Sequence, residues 1–292
     1  MNTKHELSPG RMSRWGLGLF AMLGFWAVAA TAAAQSAEGF GEGYTQDNFH
    51  VDGAPLMKSF YFRFSDSDHH IRAIEVQPHK PSLGTIAINF QDKNGDDEYY
   101  YHIQSQPYYG QIWQRSTERV ASKGADVMQL QAPPDLANWV FVIRGFYIYY
   151  HGTDHHIDQI SVLEEDGRVT VAYNDKNDDD TFWWELDYAY VPRSRFTAIG
   201  TRSGTAKGAA RASIPVGSAV LRGFDLNFSS NDHHIKEVGL WMPDDGNLDI
   251  YYSDKNQDDK FAWRVKYGIL GSAGGNTIGG TTIPPSGGVL QQ

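Results

Sequence analysis

Two short signatures hold the residues best able to do chemistry, and each occurs three times in the same order. Asp-His-His-Ile spans residues 68–71, 154–157 and 232–235, and Asp-Lys-Asn-x-Asp-Asp spans residues 92–97, 175–180 and 254–259. Carboxylate and amide oxygens at alternate positions of a tight loop suit a hard divalent cation such as Ca²⁺. Imidazole nitrogen suits Zn²⁺, Mn²⁺ or Ni²⁺ instead. Adjacent residues on an extended segment point to opposite faces, so one histidine of each pair is expected to reach a given ion. The candidate ligands are Asp68, His70, Asp92, Asn94, Asp96 and Asp97 in the first copy. In the second they are Asp154, His156, Asp175, Asn177, Asp179 and Asp180, and in the third Asp232, His234, Asp254, Asn256, Asp258 and Asp259.

The second signature resembles Ca²⁺ loops of the Asp-x-Asp-x-Asp-Gly type in its one-three-five spacing. It departs at the sixth position, where Asp97, Asp180 and Asp259 replace the turn glycine. It also lacks the glutamate at position twelve, and no flanking helical pattern is present, which excludes an EF-hand. Several carboxylates in six residues repel one another, and a bound cation relieves that repulsion. The expected ion is Ca²⁺, with one histidine per copy donating to a ligand carboxylate, and Zn²⁺ or Mn²⁺ as the alternatives. A second reading needs no ion. Asp and Asn are ordinary turn formers, a histidine N–H pins two turns together, and Lys93, Lys176 and Lys255 neutralise the acidic loops. Asp-His-His also occurs in a family of phosphoesterases, but those are α/β enzymes with acidic motifs that have no counterpart here.

The elements that position these residues follow from the spacing. The two signatures begin 24, 21 and 22 residues apart in the three copies, so one supersecondary unit is used three times. In the first copy Phe60, Phe62 and Phe64 alternate with polar residues, as do Ile86, Ile88 and Phe90, then Tyr99, Tyr101 and Ile103. Period-two patterning with one apolar face reads as antiparallel strand. Asn94-Gly95 is a strong hairpin signal. A four-strand up-and-down meander puts both signatures at the same end of a sheet. The segments after Lys123-Gly124 and Lys207-Gly208 add one further strand per unit, and the glycine of Arg144-Gly145-Phe146 and Arg222-Gly223-Phe224 marks a bulge or close backbone approach. The fold class is all-β: three tandem antiparallel meander or sandwich units of about 80 residues. They span residues 35–115, 116–195 and 196–273, with a Gly-rich, polar and loosely held lead-in over 35–55 and a flexible Gly-, Thr- and Pro-rich tail over 274–292.

Composition narrows the function. Formal net charge is −10, which disfavours nucleic acid as a partner because phosphate contacts need clustered Lys and Arg. Cysteine is absent, so there are no disulfides and no thiolate chemistry. Residues 1–34 read as a signal peptide, with Lys4, Arg11 and Arg14 before an apolar run that ends in Ala32-Ala33-Ala34. Cleavage there removes three positive charges and one negative and leaves no membrane span. The expected location is periplasmic or extracellular. The expected function is a secreted, cation-binding surface module. Carbohydrate or another cell-surface ligand is the partner, by analogy with lectin-like folds that repeat a β unit about a threefold axis. A self-associating matrix or filament subunit is the alternative, and a metal-dependent hydrolase the third. Trp183, Tyr100 and Tyr150 are candidate sugar-stacking platforms.

Overall fold

The computed structural model describes residues 34–48, 53–65, 70–77, 85–95, 97–121, 123–151, 156–175, 181–229, 234–257 and 259–271. The expected signal peptide over 1–34, except its last residue, the expected tail over 274–292, and Asp68, Asp96, Asp154, Asn177, Asp179, Asp180, Asp232 and Asp258 lie outside them. Each copy contributes six strands. The first has β1 (Gln35–Glu42), β2 (Tyr44–Asn48), β3 (Ala54–Phe64), β4 (Ala73–Gln77), β5 (Thr85–Gln91) and β6 (Glu98–Tyr108). The second has β7 (Trp113–Ala121), β8 (Ala125–Gln129), β9 (Trp139–Tyr150), β10 (Ile157–Glu165), β11 (Arg168–Asp175) and β12 (Phe182–Pro192). The third has β13 (Phe196–Lys207), β14 (Ala209–Ser213), β15 (Ser218–Phe228), β16 (Ile235–Trp241), β17 (Asn247–Asp254) and β18 (Lys260–Leu270). The all-β expectation holds, and among the described residues no helix is long and apolar enough to cross a membrane.

The lead-in is not loose. β1 pairs with β6 and β2 with β5. The chain turns at Gly43, whose φ is +51°. Its glycines hid this strand from the alternation pattern, yet they are required: a Cβ at Gly39 would sit 2.9 Å from the Tyr101 hydroxyl. Equivalent strand couples, β7 with β8 and β13 with β14, open the other copies and divide between two sheets, so each unit carries two extra strands rather than one.

The pairing also departs from a simple meander. Within each copy the third strand pairs with the sixth (β3–β6, β9–β12, β15–β18) and the fourth with the fifth (β4–β5, β10–β11, β16–β17). The third and fourth strands of a copy do not pair with each other. Each fourth strand instead pairs with the third strand of the next copy: β4 with β9, β10 with β15, and β16 back to β3. The result is three six-stranded antiparallel sheets, β2-β5-β4-β9-β12-β7, β8-β11-β10-β15-β18-β13 and β14-β17-β16-β3-β6-β1. The last two join through one residue pair, Lys207 and Ala209. Every sheet draws three strands from one copy and three from the next, and the circuit closes about a pseudo-threefold axis. The aromatic faces supply the physical reason. A lone four-stranded sheet would leave them wet, whereas crossing to the neighbouring sheet encloses all three.

The strands that surround the axis are β3, β9 and β15, which pack against one another pairwise. Their equivalent residues Phe60, Phe146 and Phe224 meet there with ring centroids 5.3, 5.3 and 5.5 Å apart. The alternating sets read from the sequence all face this core, including Phe261, Trp263, Val265 and Tyr267 of β18. A bulge interrupts each central strand at Lys58, Arg144 and Arg222. These cations tie neighbouring copies together: Nε of Arg144 donates to the Pro55 carbonyl (3.2 Å), Nε of Arg222 to that of Phe141 (3.2 Å), and Nζ of Lys58 to Asp244 (2.6 Å).

Candidate metal centre

Each Asp-His-His-Ile signature ends at or just before the start of the fourth strand of its copy. The isoleucine fixes the local register. Ile71, Ile157 and Ile235 are fully buried, and Ile157 lies opposite Asp175 and Ile235 opposite Asp254 in the strand ladders. In the first copy the N–H of Arg72 donates to the Gln91 carbonyl at 2.7 Å. The ends of the two signatures are therefore adjacent through the pairing of the fourth and fifth strands, not through the continuous meander that the sequence suggests.

The residue just before each isoleucine is the second histidine of its pair, and the three copies bring these together. The rings of His70, His156 and His234 have centroids 4.3, 4.4 and 4.8 Å apart and cross at 72–82°, in the manner of propeller blades. One nitrogen from each ring lies within 4.8 Å of those of the other two. His70 is 8% exposed, and the other two are half-buried. Among the described residues these three are the group of His, Asp and Glu side chains whose ligand atoms converge closely enough for one ion. At Zn–N distances of about 2.0–2.1 Å, three imidazoles form three corners of a tetrahedron.

A neighbouring copy supports this segment. The Tyr173 hydroxyl, on β11, donates to the Ile71 carbonyl at 3.2 Å, and the N–H of Tyr150 donates to the Arg72 carbonyl at 2.9 Å. Tyr150 stacks on Tyr173 with centroids 4.7 Å apart and bonds its carbonyl through the hydroxyl. Tyr150 is thus a core residue holding the histidine turn, not a surface platform. Trp183 and Tyr100 do lie half-buried on outer sheet faces, against Tyr147 and Phe40 respectively.

The acidic loops are built differently from a cation cage. Oδ1 of Asp92 accepts the N–H groups of Asn94 (2.8 Å) and Gly95 (3.0 Å). Oδ1 of Asp254 does the same for Asn256 (3.0 Å) and Gln257 (3.1 Å). The fourth loop position is left-handed, at Gly95 (φ +73°) and Gln257 (φ +59°). The first aspartate of the loop is therefore a buried turn-former in the first and third copies, and Asp175 is buried likewise. Burial holds the Asp254 carboxyl above the usual range, its N–H bonds pull it down, and the adjacent Asp259 carboxylate raises it further. Asn94 and Asn256 are exposed.

The structure thus brings His70, His156 and His234 together about one axis, and the described loop residues Asp92, Asn94, Asp97, Asp175, Asp254, Asn256 and Asp259 are not members of that group. Tyr173 and the meeting of all three copies at one point were not evident from spacing alone. The equal placement of the second histidine in every copy was the signal, and it needed only the cyclic closure to be read. No protein-family model matches the chain, and no curated protein is significantly similar to it in sequence.

Proposed function

We propose that the protein is an exported binding module whose three copies are clamped by one transition-metal ion, Zn²⁺ in the first instance, held by His70, His156 and His234. The observation that carries this reading is the convergence of three imidazoles, one from each copy, within 4.8 Å. Nitrogen ligands favour Zn²⁺ over Ca²⁺. An ion ligated by all three copies cross-links the fold at the point where the sheets exchange strands. Export rests on the basic, apolar and Ala-rich segments of residues 1–34.

Ca²⁺ at the acidic loops is a second reading, supported by the neighbouring carboxylates of Asp254 and Asp259. Thermal melting of the chelated, untagged protein separates the two. A ligand bound only by the folded state adds about 2.7 kcal/mol at a hundred times its Kd. A rise in midpoint with Zn²⁺ that disappears in His156→Ala supports the axial centre. A rise with Ca²⁺ that disappears in the combined Asp92→Ala, Asp175→Ala and Asp254→Ala variant supports the loops. No rise with any ion overturns both and leaves the histidines as packing groups.

A further inference from the structure

An open cleft of about 360 Å³ lies on the second copy where Arg222 of the third borders it, lined by Trp139, Phe141, Glu164, Tyr190, Arg193 and Arg222 among others. We propose that this cleft binds a neutral saccharide. The inference deepens the reading of the protein as a binding module and does not depend on the metal.

Two features carry it. The first is size and surface: the volume falls in the range of small-molecule sites, and the half-buried Trp139 offers an aromatic face beside polar groups. That face takes the C–H face of a sugar ring, while the polar groups take its hydroxyls. The second is charge. The Arg222 guanidinium is fixed at the wall by the bond from its Nε to the Phe141 carbonyl. Burial disfavours its charged form, and the Glu164 carboxylate favours it. One oxygen of Glu164 already accepts the Gly167 N–H at 2.7 Å. With acid and base on the same wall, an ionic ligand that pairs with one is repelled by the other. A hydroxyl both donates and accepts, so a polyol satisfies both.

The cleft also breaks the repeat. Counted from the bulge cations, Trp139 and Phe141 correspond to Gly53 and Pro55 in the first copy and to Gly217 and Ala219 in the third. The pseudo-threefold fold therefore forms at this position without the aromatic pair, and what the pair adds is local to one interface.

The test is saturation-transfer NMR and calorimetric titration of the full chain with glucose, galactose, mannose and N-acetylglucosamine. Glucosamine and N-acetylneuraminic acid serve as the cationic and anionic controls. The expected result is binding of at least one neutral sugar, about tenfold tighter than either charged control, lost in Trp139→Ala. Binding that survives chelation keeps the cleft separate from the axial ion, and binding lost on chelation would overturn that independence. No transfer from any neutral sugar, equal binding of the charged controls, or transfer that persists in Trp139→Ala would overturn the proposal.

Discussion

A single copy of this unit places only one imidazole at the axis, and that sets what point variants should do. Replacing any one of His70, His156 or His234 by Ala removes a third of the ligand set. Loss of groups that merely orient a ligand costs about 10–100-fold in metal affinity, so each variant should lose at least that much Zn²⁺ affinity by competition titration. Protons compete with the metal for imidazole nitrogen. The stabilisation given by Zn²⁺ should therefore shrink as pH falls, and Ca²⁺-dependent stabilisation should not follow that curve. At Asp254 the sign is opposite to that of a salt-bridged carboxylate. Its raised folded-state value means that the folded chain holds the proton more tightly than the unfolded one. Ionisation therefore costs stability as pH rises through that value, and the cost is absent below the ordinary carboxylate range. In chelator at neutral pH, Asp254→Asn should raise the midpoint by on the order of 1–2 °C, since an amide oxygen still accepts both loop N–H groups. The gain should fade in acid. A fall in midpoint in the presence of Ca²⁺ would instead mark Asp254 as a ligand. Tyrosines give a matched pair. Tyr173→Phe should cost about 1 kcal/mol through the lost bond to Ile71, whereas Tyr252→Phe should cost nothing, because that buried hydroxyl has no partner among the described residues.

At the scale of strands, stability resides in the seams between copies. Gly239 on β16 faces β3 so closely that a Cβ would lie 2.8 Å from both the Phe60 carbonyl oxygen and the Tyr61 Cα. Both are backbone atoms, which cannot step aside as a side-chain tip can. Gly239→Ala should therefore cost about 1–3 kcal/mol, with amide exchange rising first along β16 and β3. Phe146→Ala, which hollows the axial aromatic cluster, should cost about 3–5 kcal/mol. The strands that form these seams were legible in the sequence because their faces alternate: Phe60, Phe62 and Phe64, or Ile86, Ile88 and Phe90, leave no other period. The opening strands were not. Strand β7 runs Trp-Gln-Arg-Ser-Thr-Glu-Arg-Val-Ala with only its last residue buried, and β1 is half glycine and small residues. Neither carries an apolar face, because each lies on a sheet edge and is held by backbone pairing. The site was half legible for a related reason. Ligand type follows from residue identity and spacing, but the partner of each histidine lies about 80 residues away. No local period encodes which copy a strand joins.

For the molecule as a whole, the cyclic exchange of strands makes the three copies one cooperative body. Truncation before residue 196 removes β16 from β3 and β15 from β10, which takes away two of the three seams at once. The shortened chain should show no cooperative thermal transition by calorimetry or near-ultraviolet circular dichroism. Independent units would keep a transition of reduced enthalpy. The same exchange sets a timetable for synthesis on the ribosome. Strand β3 emerges early, and its partner β16 lies some 170 residues later in the chain. At about 5–20 residues per second, that flank of β3 waits on the order of 10–30 seconds with a row of aromatic residues behind it. Strands of the last copy thus complete the sheet that the first copy begins, and until they arrive the nascent chain must be shielded from its neighbours on the polysome.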